Sequence, residues 1–401
     1  MTVAKKFEKL GNRFSPGQHA RHSADAAAFL VGDILPGRAV DFSHGDVVAH
    51  PPSAESFACF AAAVDAGAAY TLYRGAEEIR TILSGRLADF TGAPVNAKEE
   101  LIITPGSQGA LFLAIAATVA AGDKVAIVQP DYYANRKLVE FFEGEMLPVR
   151  MDYVTTSGRA GLDLDQLEDA FRAGARVFLF SNPNNPAGVV YSADEIDAIA
   201  ALAGRYGVTV IADELYSRLL YAGSTYTHLR ARAVDPDQVI TIMGPSKTES
   251  LSGYRLGIAF GAAQIIERME KLQGIVSLRA PAYSQAVLRT WFAEPAGWMA
   301  ARIAAHQAIR DDVLRLFRGI DSCRIRTPDA GSYLFPELPA LRIAPADFVT
   351  ALREQAGVVV TPGTEFSPHA GRNIRLNFSQ DREATAAAVT RIAALVERYR
   401  A

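Results

Sequence analysis

Short β-branched runs recur along the first two thirds of the chain: LIIT from 101, KVAIVQ from 124, RVFLFS from 176, VTVIA from 208, VITIM from 239 and LGIAF from 256. Stretches of helical character separate them. Strands alternating with helices predict a mainly parallel sheet covered by helices on both faces, the α/β layer architecture. After residue 290 the pattern changes. Long Ala/Arg/Leu-rich helices are predicted over 292–318 and 380–400, around strand-like pieces at 323–326, 332–335, 357–361 and 373–378. That pattern predicts a smaller α+β domain. Residues 1–45, with a helical piece followed by AVDFSHG, break the rhythm of the sheet and are expected to join it. The expected division is therefore 46–290 for a large α/β domain, and 1–45 with 291–401 for the small one.

One uncharged stretch, 101–122, is long enough to raise the question of a membrane span. Its Thr104-Pro105-Gly106-Ser107-Gln108-Gly109 knot is polar and breaks a helix. The stretch therefore reads as a short strand, a glycine turn and an Ala-rich buried helix.

Composition narrows the function. With 401 residues, 49% of them hydrophobic and 21% charged, the chain can bury more than one core and is not a disordered or fibrous sequence. Its 41 Lys+Arg against 44 Asp+Glu leave no basic excess for nucleic acid. Cys59 and Cys323 are far apart, with no CxxC and no neighbouring histidine, so neither a disulfide framework nor a metal site is expected. The opening MTVAKKFEKLGNRF mixes charge into every turn and lacks the apolar core of a signal peptide, so a cytoplasmic protein is expected.

Ligands of open parallel sheets sit beyond the carboxyl ends of the strands. The residues that follow each run are therefore the ones to read. LIIT leads into Pro105-Gly106-Ser107-Gln108-Gly109, VAIVQ into Pro130-Asp131-Tyr132-Tyr133, and VFLFS into Asn182-Pro183-Asn184-Asn185-Pro186. VTVIA leads into Asp213-Glu214-Leu215-Tyr216 and VITIM into Gly244-Pro245-Ser246-Lys247. A glycine turn opening a helix offers backbone N–H groups and the helix dipole to a phosphate, and Ser246 and Arg255 can add a hydroxyl and a fixed cation. Lys247, after an apolar strand, can act as a Schiff-base nucleophile if its amine is held at the mouth of a dry pocket. Each signal also has a plain structural meaning on its own: a packing turn, a solvated loop lysine, a helix-capping Asp213, a rigid Asn-Pro turn.

Together they resemble a family. SNPNNPAG (181–188), DELY (213–216), SKTESLSGYRLG (246–257) and NIRLNFS (373–379) resemble the motifs of the class I/II aminotransferases, pyridoxal 5'-phosphate enzymes of fold type I, in order and separation. The resemblance runs from about residue 41 to the C-terminus. It implies that Lys247 carries the cofactor, that Asp213 pairs with its ring nitrogen, and that Asn185 and Tyr216 bond its ring oxygen. Tyr132 would stack on the ring. Ser107, Gln108, Ser246 and Arg255 would hold the phosphate, joined by Tyr70 of YTLYRG from a second copy of the chain in a homodimer. Arg375, helped by the backbone of Gly45 and by Asn185, would grip the substrate's α-carboxylate.

Some positions depart from the family pattern. Asn135 stands where a second tyrosine is common, and Gln108 where acid-selective members of one subgroup carry lysine. With Tyr132, Tyr133 and Tyr70 this points to neutral or aromatic donors; Arg279 and His369 are the further residues whose reach into the pocket is open. The activity implied is amino transfer between an α-amino acid and a 2-oxo acid, with no nucleic-acid or membrane partner. The same residues also serve C–S lyases, decarboxylases and other Cα-carbanion enzymes of this fold. A non-catalytic cofactor-binding regulator is the third possibility; it usually carries a DNA-binding extension, for which the short N-terminal segment leaves no room.

Overall fold

The structure, a computed structural model, describes residues 2–10 and 29–401. Its strands in chain order are β1 (Val40–Asp41), β2 (Leu101–Pro105), β3 (Lys124–Gln129), β4 (Glu145–Arg150), β5 (Ala175–Ser181) and β6 (Thr209–Asp213). They continue with β7 (Val239–Met243), β8 (Leu256–Gly261), β9 (Tyr333–Leu334), β10 (Val358–Val359), β11 (Thr361–Pro362) and β12 (Ile374–Asn377). All six apolar runs are strands of one seven-stranded sheet, ordered β2-β8-β7-β6-β5-β3-β4. It is parallel except for β8, which runs antiparallel to both β2 and β7.

Successive strand residues point to opposite faces, and here both faces are apolar. In β3, Val125 and Ile127 join one core with Ile115, Val139 and Ile266 from helices Ser107–Thr118, Tyr133–Phe141 and Ala263–Val276. Ala126 and Val128 join the opposite core with Leu167 and Ile199 from helices Leu164–Arg172 and Ala193–Tyr206. Burying each such side chain contributes roughly 1.5–3 kcal/mol, so the helices lie where they cover strand side chains. The seventh strand, β4, carries no apolar run. As EMLPVR it lies at the sheet edge with Pro148 in its middle, a place where proline is tolerated because one side of the strand needs no ladder bond.

The uncharged segment resolves as β2, the turn at Gly106 (φ 81°) and the helix Ser107–Thr118. Among the described residues no helix is long and apolar enough to cross a membrane.

Beyond residue 297 the helices Trp298–Arg318, Pro345–Ala356 and Arg382–Tyr399 enclose a separate core containing Phe317, Phe348, Phe378 and Tyr399. Two small sheets, β11-β12-β9 and the parallel pair β1-β10, lie against it. The β1 pairing brings Val40 and Phe42 into this second core, whereas helix Val3–Glu8 lies against the large sheet's side, Phe7 edge-on to Phe141 of helix Tyr133–Phe141 at 6.1 Å; residues 11–28 lie outside the described residues. The piece at 323–326 contributes a single bridge, Arg324 to Glu337, and no strand.

Candidate active site

The carboxyl ends of β2, β3, β5, β6 and β7 open onto one edge of the large sheet. Because β8 runs the other way, its first residues reach the same edge, which brings Arg255 there. A cavity of about 360 Å³ lies at this edge, closed from the other side by Arg375 of β12.

Of the residues singled out from sequence, Ser107, Gln108, Tyr132, Asn185, Asp213, Tyr216, Ser246, Lys247, Arg255 and Arg375 all line this cavity. Its charged lining is three cations, Lys247, Arg255 and Arg375, against the single carboxylate of Asp213. An excess of fixed positive charge in a partly dry cleft favours an anionic ligand.

Asp213 closes β6, and its Oδ1 accepts the backbone N–H of Leu215 at 3.1 Å. Burial pushes its carboxyl up to about 6, and no cation pairs with it among the described residues. Lys247 is half-buried, without an ion-pair partner among the described residues. Buried Glu249 and Thr248 hold the backbone on its far side. Glu249 pairs with Arg218, which also forks onto Glu294 at 2.8 and 2.9 Å, and Thr248 O accepts from Arg302 at 3.1 Å.

The turn at Gly106 begins the helix Ser107–Thr118 with no side-chain cap, which leaves the donors at the helix start to a ligand. Arg255 adopts a left-handed backbone (φ 54°), uncommon for a residue with a side chain, and its guanidinium lies directly against Gly106. Tyr132 O–H donates to Gln108 Oε1 at 3.1 Å, tying the aromatic wall to this turn, and Tyr133 packs on Tyr132 with ring centroids 4.7 Å apart.

Arg375 is buried and fixed from three sides. Nη1 donates to Asn185 Oδ1 at 3.2 Å, and Nη2 to Ser43 O at 3.0 Å and Thr361 Oγ1 at 3.3 Å. The rings of Tyr333 and Phe366 lie 4.5 and 4.8 Å from its guanidinium carbon. Its Nε is buried without a partner among the described residues. An arginine held this way, with a donor unspent, is prepared for a carboxylate.

Two expected residues lie elsewhere. Gly45 is in an adjoining cavity of about 250 Å³ that shares Ser246 and Lys247 with the main one; Ser43, two residues earlier, lines the main cavity. Tyr70 is on the outside, 79% exposed, its ring 4.3 Å from the guanidinium of Arg279, which also lies over Tyr73. Neither Arg279 nor His369 lines the main cavity; His369 is exposed beside a separate cavity between the ends of β3 and β4 and the 367–373 loop. Asn135 is fully buried with neither side-chain polar atom bonded, for which the structure offers no account.

Three residues were missed. Tyr333 lines the cavity with its hydroxyl 2.6 Å from that of Tyr216; in sequence a tyrosine in a strand-like piece reads as an ordinary β former. Asp131 is buried and accepts Tyr132 N–H at 2.6 Å, Ser181 N–H at 2.9 Å and the Ser181 hydroxyl; Asn185 N–H donates in turn to Ser181 Oγ at 3.2 Å. Asp131 and Ser181 thus brace the Asn-Pro loop from below, and their only signal was position at strand ends.

Residues 51–392 match the model of the aminotransferase class I and II family. A solved structure of an aspartate aminotransferase from Rhodobacter sphaeroides 2.4.1 is 66% identical, covers 100% of both chains and superimposes with a TM-score of 0.95. Among curated relatives, an aspartate aminotransferase of Sulfolobus acidocaldarius is 28% identical across 83% of this chain and 84% of its own. A probable N-acetyl-LL-diaminopimelate aminotransferase of Bacillus subtilis is 31% identical across 77% of each.

Proposed function

This chain belongs to the class I and II aminotransferases, and from that premise we propose what each residue around Lys247 does. The enzyme depends on pyridoxal phosphate and moves an amino group between an α-amino acid and a 2-oxo acid. The observation that carries the assignment of roles is the charge pattern: an amine, two guanidinium groups and one half-buried carboxylate converge on one cavity.

The pocket fits the cofactor. Half-buried Asp213 lacks a cation partner among the described residues, and a protonated ring nitrogen is one. The uncapped helix start at Ser107, with Arg255 against Gly106, suits a phosphate. Bound pyridoxal phosphate supplies an aldehyde carbon to receive the amine and a ring that draws electron density from the donor's Cα.

On this reading Lys247 Nζ anchors the cofactor and takes the proton from the donor's Cα. Asp213 keeps the ring nitrogen protonated. Asn185, whose Oδ1 faces Arg375, donates through its amide nitrogen to the ring oxygen, together with Tyr216. Tyr132 stacks on the ring, and Ser107, Gln108, Ser246 and Arg255 hold the phosphate. Arg375 grips the α-carboxylate, with Gly45 contributing backbone from the adjoining cavity.

The active unit is proposed to be a homodimer. Leu72, Tyr73, Ile275, Val276, Leu278 and Tyr283 are exposed in the two segments beside Tyr70, an apolar surface that suits an interface. In the dimer Tyr70 would complete the partner's phosphate site. Residues 46–290 are proposed as the cofactor domain and 1–45 with 291–401 as the smaller one; the separate sheets and cores support this, although helix Val3–Glu8 packs on Phe141 of the larger one.

For the donor we take aspartate, in place of the neutral or aromatic amino acids that Gln108 and the tyrosines suggested. Support comes from the 66% identical structure, which is that of an aspartate aminotransferase. A distal carboxylate then needs one more cation, and Arg279, stacked on Tyr70 and without a carboxylate partner among the described residues, would arrive with Tyr70 from the second copy. Two experiments test the reading. Borohydride reduction of the holoenzyme should fix the cofactor to the peptide containing Lys247, and Lys247→Ala should abolish turnover; label on another peptide would overturn the assignment. A panel of donors and oxo acids should show aspartate preferred and that preference lost in Arg279→Ala. A neutral or aromatic profile indifferent to Arg279 would overturn the choice of donor.

A further inference from the structure

Tyr333 lies at the centre of this pocket with no role assigned to it. It is 4% exposed and comes from β9 of the small sheet, yet it meets groups from most elements of the site. Tyr216 faces it from the segment after β6, with Asp213 at the end of that strand close to Tyr216, Lys247 from the segment after β7, and Tyr132 from the segment after β3. Arg375 and Asn377 face it from β12. The two phenol oxygens are 2.6 Å apart, with their rings edge to face at 74°.

The chemistry of a phenol limits what this pair can do. Each hydroxyl has one hydrogen to donate and lone pairs to accept. As the protein stands, Tyr216 donates its hydrogen to Tyr333. If Tyr216 gives that hydrogen to a ligand oxygen in the pocket, its own oxygen becomes an acceptor facing Tyr333 at hydrogen-bond distance. Tyr333 is then the donor. Two hydroxyls in series polarise one another, so the terminal donor is stronger than a lone tyrosine.

Environment supports that order. Burial pushes the pKa of both phenols up, but for Tyr333 the cations Lys247 and Arg375 and the bonds from Tyr216 and Asn377 outweigh it, leaving its pKa below the usual phenol value. Tyr216 stays well above the usual phenol range, through burial and then the neighbouring Tyr333. Lys247 and Arg375 act on Tyr333 whichever way the shared hydrogen points, which suits the inner phenol to donate to the outer one.

We propose that Tyr333 is a positioning residue for Tyr216: its hydroxyl donates to Tyr216 when Tyr216 donates to the cofactor's ring oxygen, strengthening that second bond. The inference rests on reading the pocket as the pyridoxal-phosphate site of an aminotransferase. The consequence concerns the nitrogen that joins Lys247 to the cofactor. A stronger donor on the ring oxygen withdraws electron density and lowers that nitrogen's affinity for a proton. Without the Tyr333 hydroxyl, the nitrogen keeps its proton to higher pH.

The test is a pH titration of the bound cofactor's visible absorption in purified holoenzyme. Relative to the parent, Tyr333→Phe should move the midpoint upward by about one pH unit, a tenfold change in proton affinity. The phenyl ring keeps the floor beneath Arg375, so KM for the donor should stay within about twofold. Tyr216→Phe supplies the second arm. In its background the further change Tyr333→Phe should move the midpoint no more, because the relay has lost its outer member. A Tyr333→Phe titration that superimposes on the parent's overturns the proposal. So does an equal shift in both backgrounds, which would mark a role independent of Tyr216. A parent protein with no lysine-bound cofactor absorption would instead overturn the reading of the site itself.

Discussion

Arg375 Nη1 donates to Asn185 Oδ1 over 3.2 Å, joining a strand of the small sheet to the Asn-Pro loop of the large one. The contact commits the oxygen end of the Asn185 amide to the arginine and leaves its nitrogen for a ligand. The residue proposed for the substrate's carboxylate and a residue proposed for the cofactor's ring therefore orient each other.

Arg375→Lys keeps the charge but loses the planar fork and the bond geometry to Asn185. Hydrogen bonds to a charged group contribute about 1.5–3 kcal/mol, so kcat/KM should fall on the order of a hundredfold. Donors and oxo acids should suffer alike, because all carry the α-carboxylate. Steady-state kinetics on aspartate, alanine and 2-oxoglutarate checks this; a loss confined to dicarboxylates would reassign Arg375 to the side chain.

Gly257 lies where the second residue of β8 passes beneath the Gly106 turn. A Cβ there would overlap Ser107 N and Gly106 C, both backbone atoms that cannot swing aside. Overpacking of this kind costs about 1–3 kcal/mol. Gly257→Ala should weaken cofactor binding by roughly tenfold or more, measured by titrating cofactor-free protein with pyridoxal phosphate. Unchanged affinity would mean that the turn does not hold the phosphate.

Two buried groups push stability in opposite directions with pH. Burial, with Asp213 nearby, raises the Asp131 carboxyl from 3.8 to about 7; the unfolded chain releases that proton more easily, so this contribution to stability is lost as pH rises across that window. Burial, with His50 beside it, lowers His306 from 6.5 to about 3; the unfolded chain binds that proton more easily, so this contribution is lost as pH falls below 6.5. In cofactor-free protein, Asp131→Asn should therefore make the melting temperature climb more steeply from pH 4 to pH 6.5, and His306→Gln should make it climb less or decline. Parallel profiles for both variants and the parent would contradict the assignment.

A site shared between copies has a simple genetic signature. Mixing Lys247→Ala chains with Tyr70→Phe chains places one intact Lys247 and one intact Tyr70 together in one of the two sites of each mixed dimer. Activity should rise above that of either parent variant. A mixture no more active than its Tyr70→Phe component would show that Tyr70 does not serve a neighbouring site.

The strands of the large sheet and most residues of the cavity were legible in the chain itself. Parallel strands buried on both faces need contiguous apolar runs, and the turns after them need glycine, proline and asparagine; both signals are local. Lys247, Asp213, Asn185 and Arg255 stand within a few residues of such a strand, so a strand end placed them. β4 was not legible, because an edge strand needs only a partner on one side and so carries a mixed pattern around Pro148. Tertiary structure alone decided the rest. Tyr216 and Tyr333 are 117 residues apart in the chain, and Asn185 and Arg375 are 190 apart. It also placed Ser43 rather than Gly45 in the main cavity and left Tyr70 on the surface. Such contacts follow from how the small sheet packs against the edge of the large one, and side-chain direction across that junction is set by packing, for which the linear pattern carries no signal.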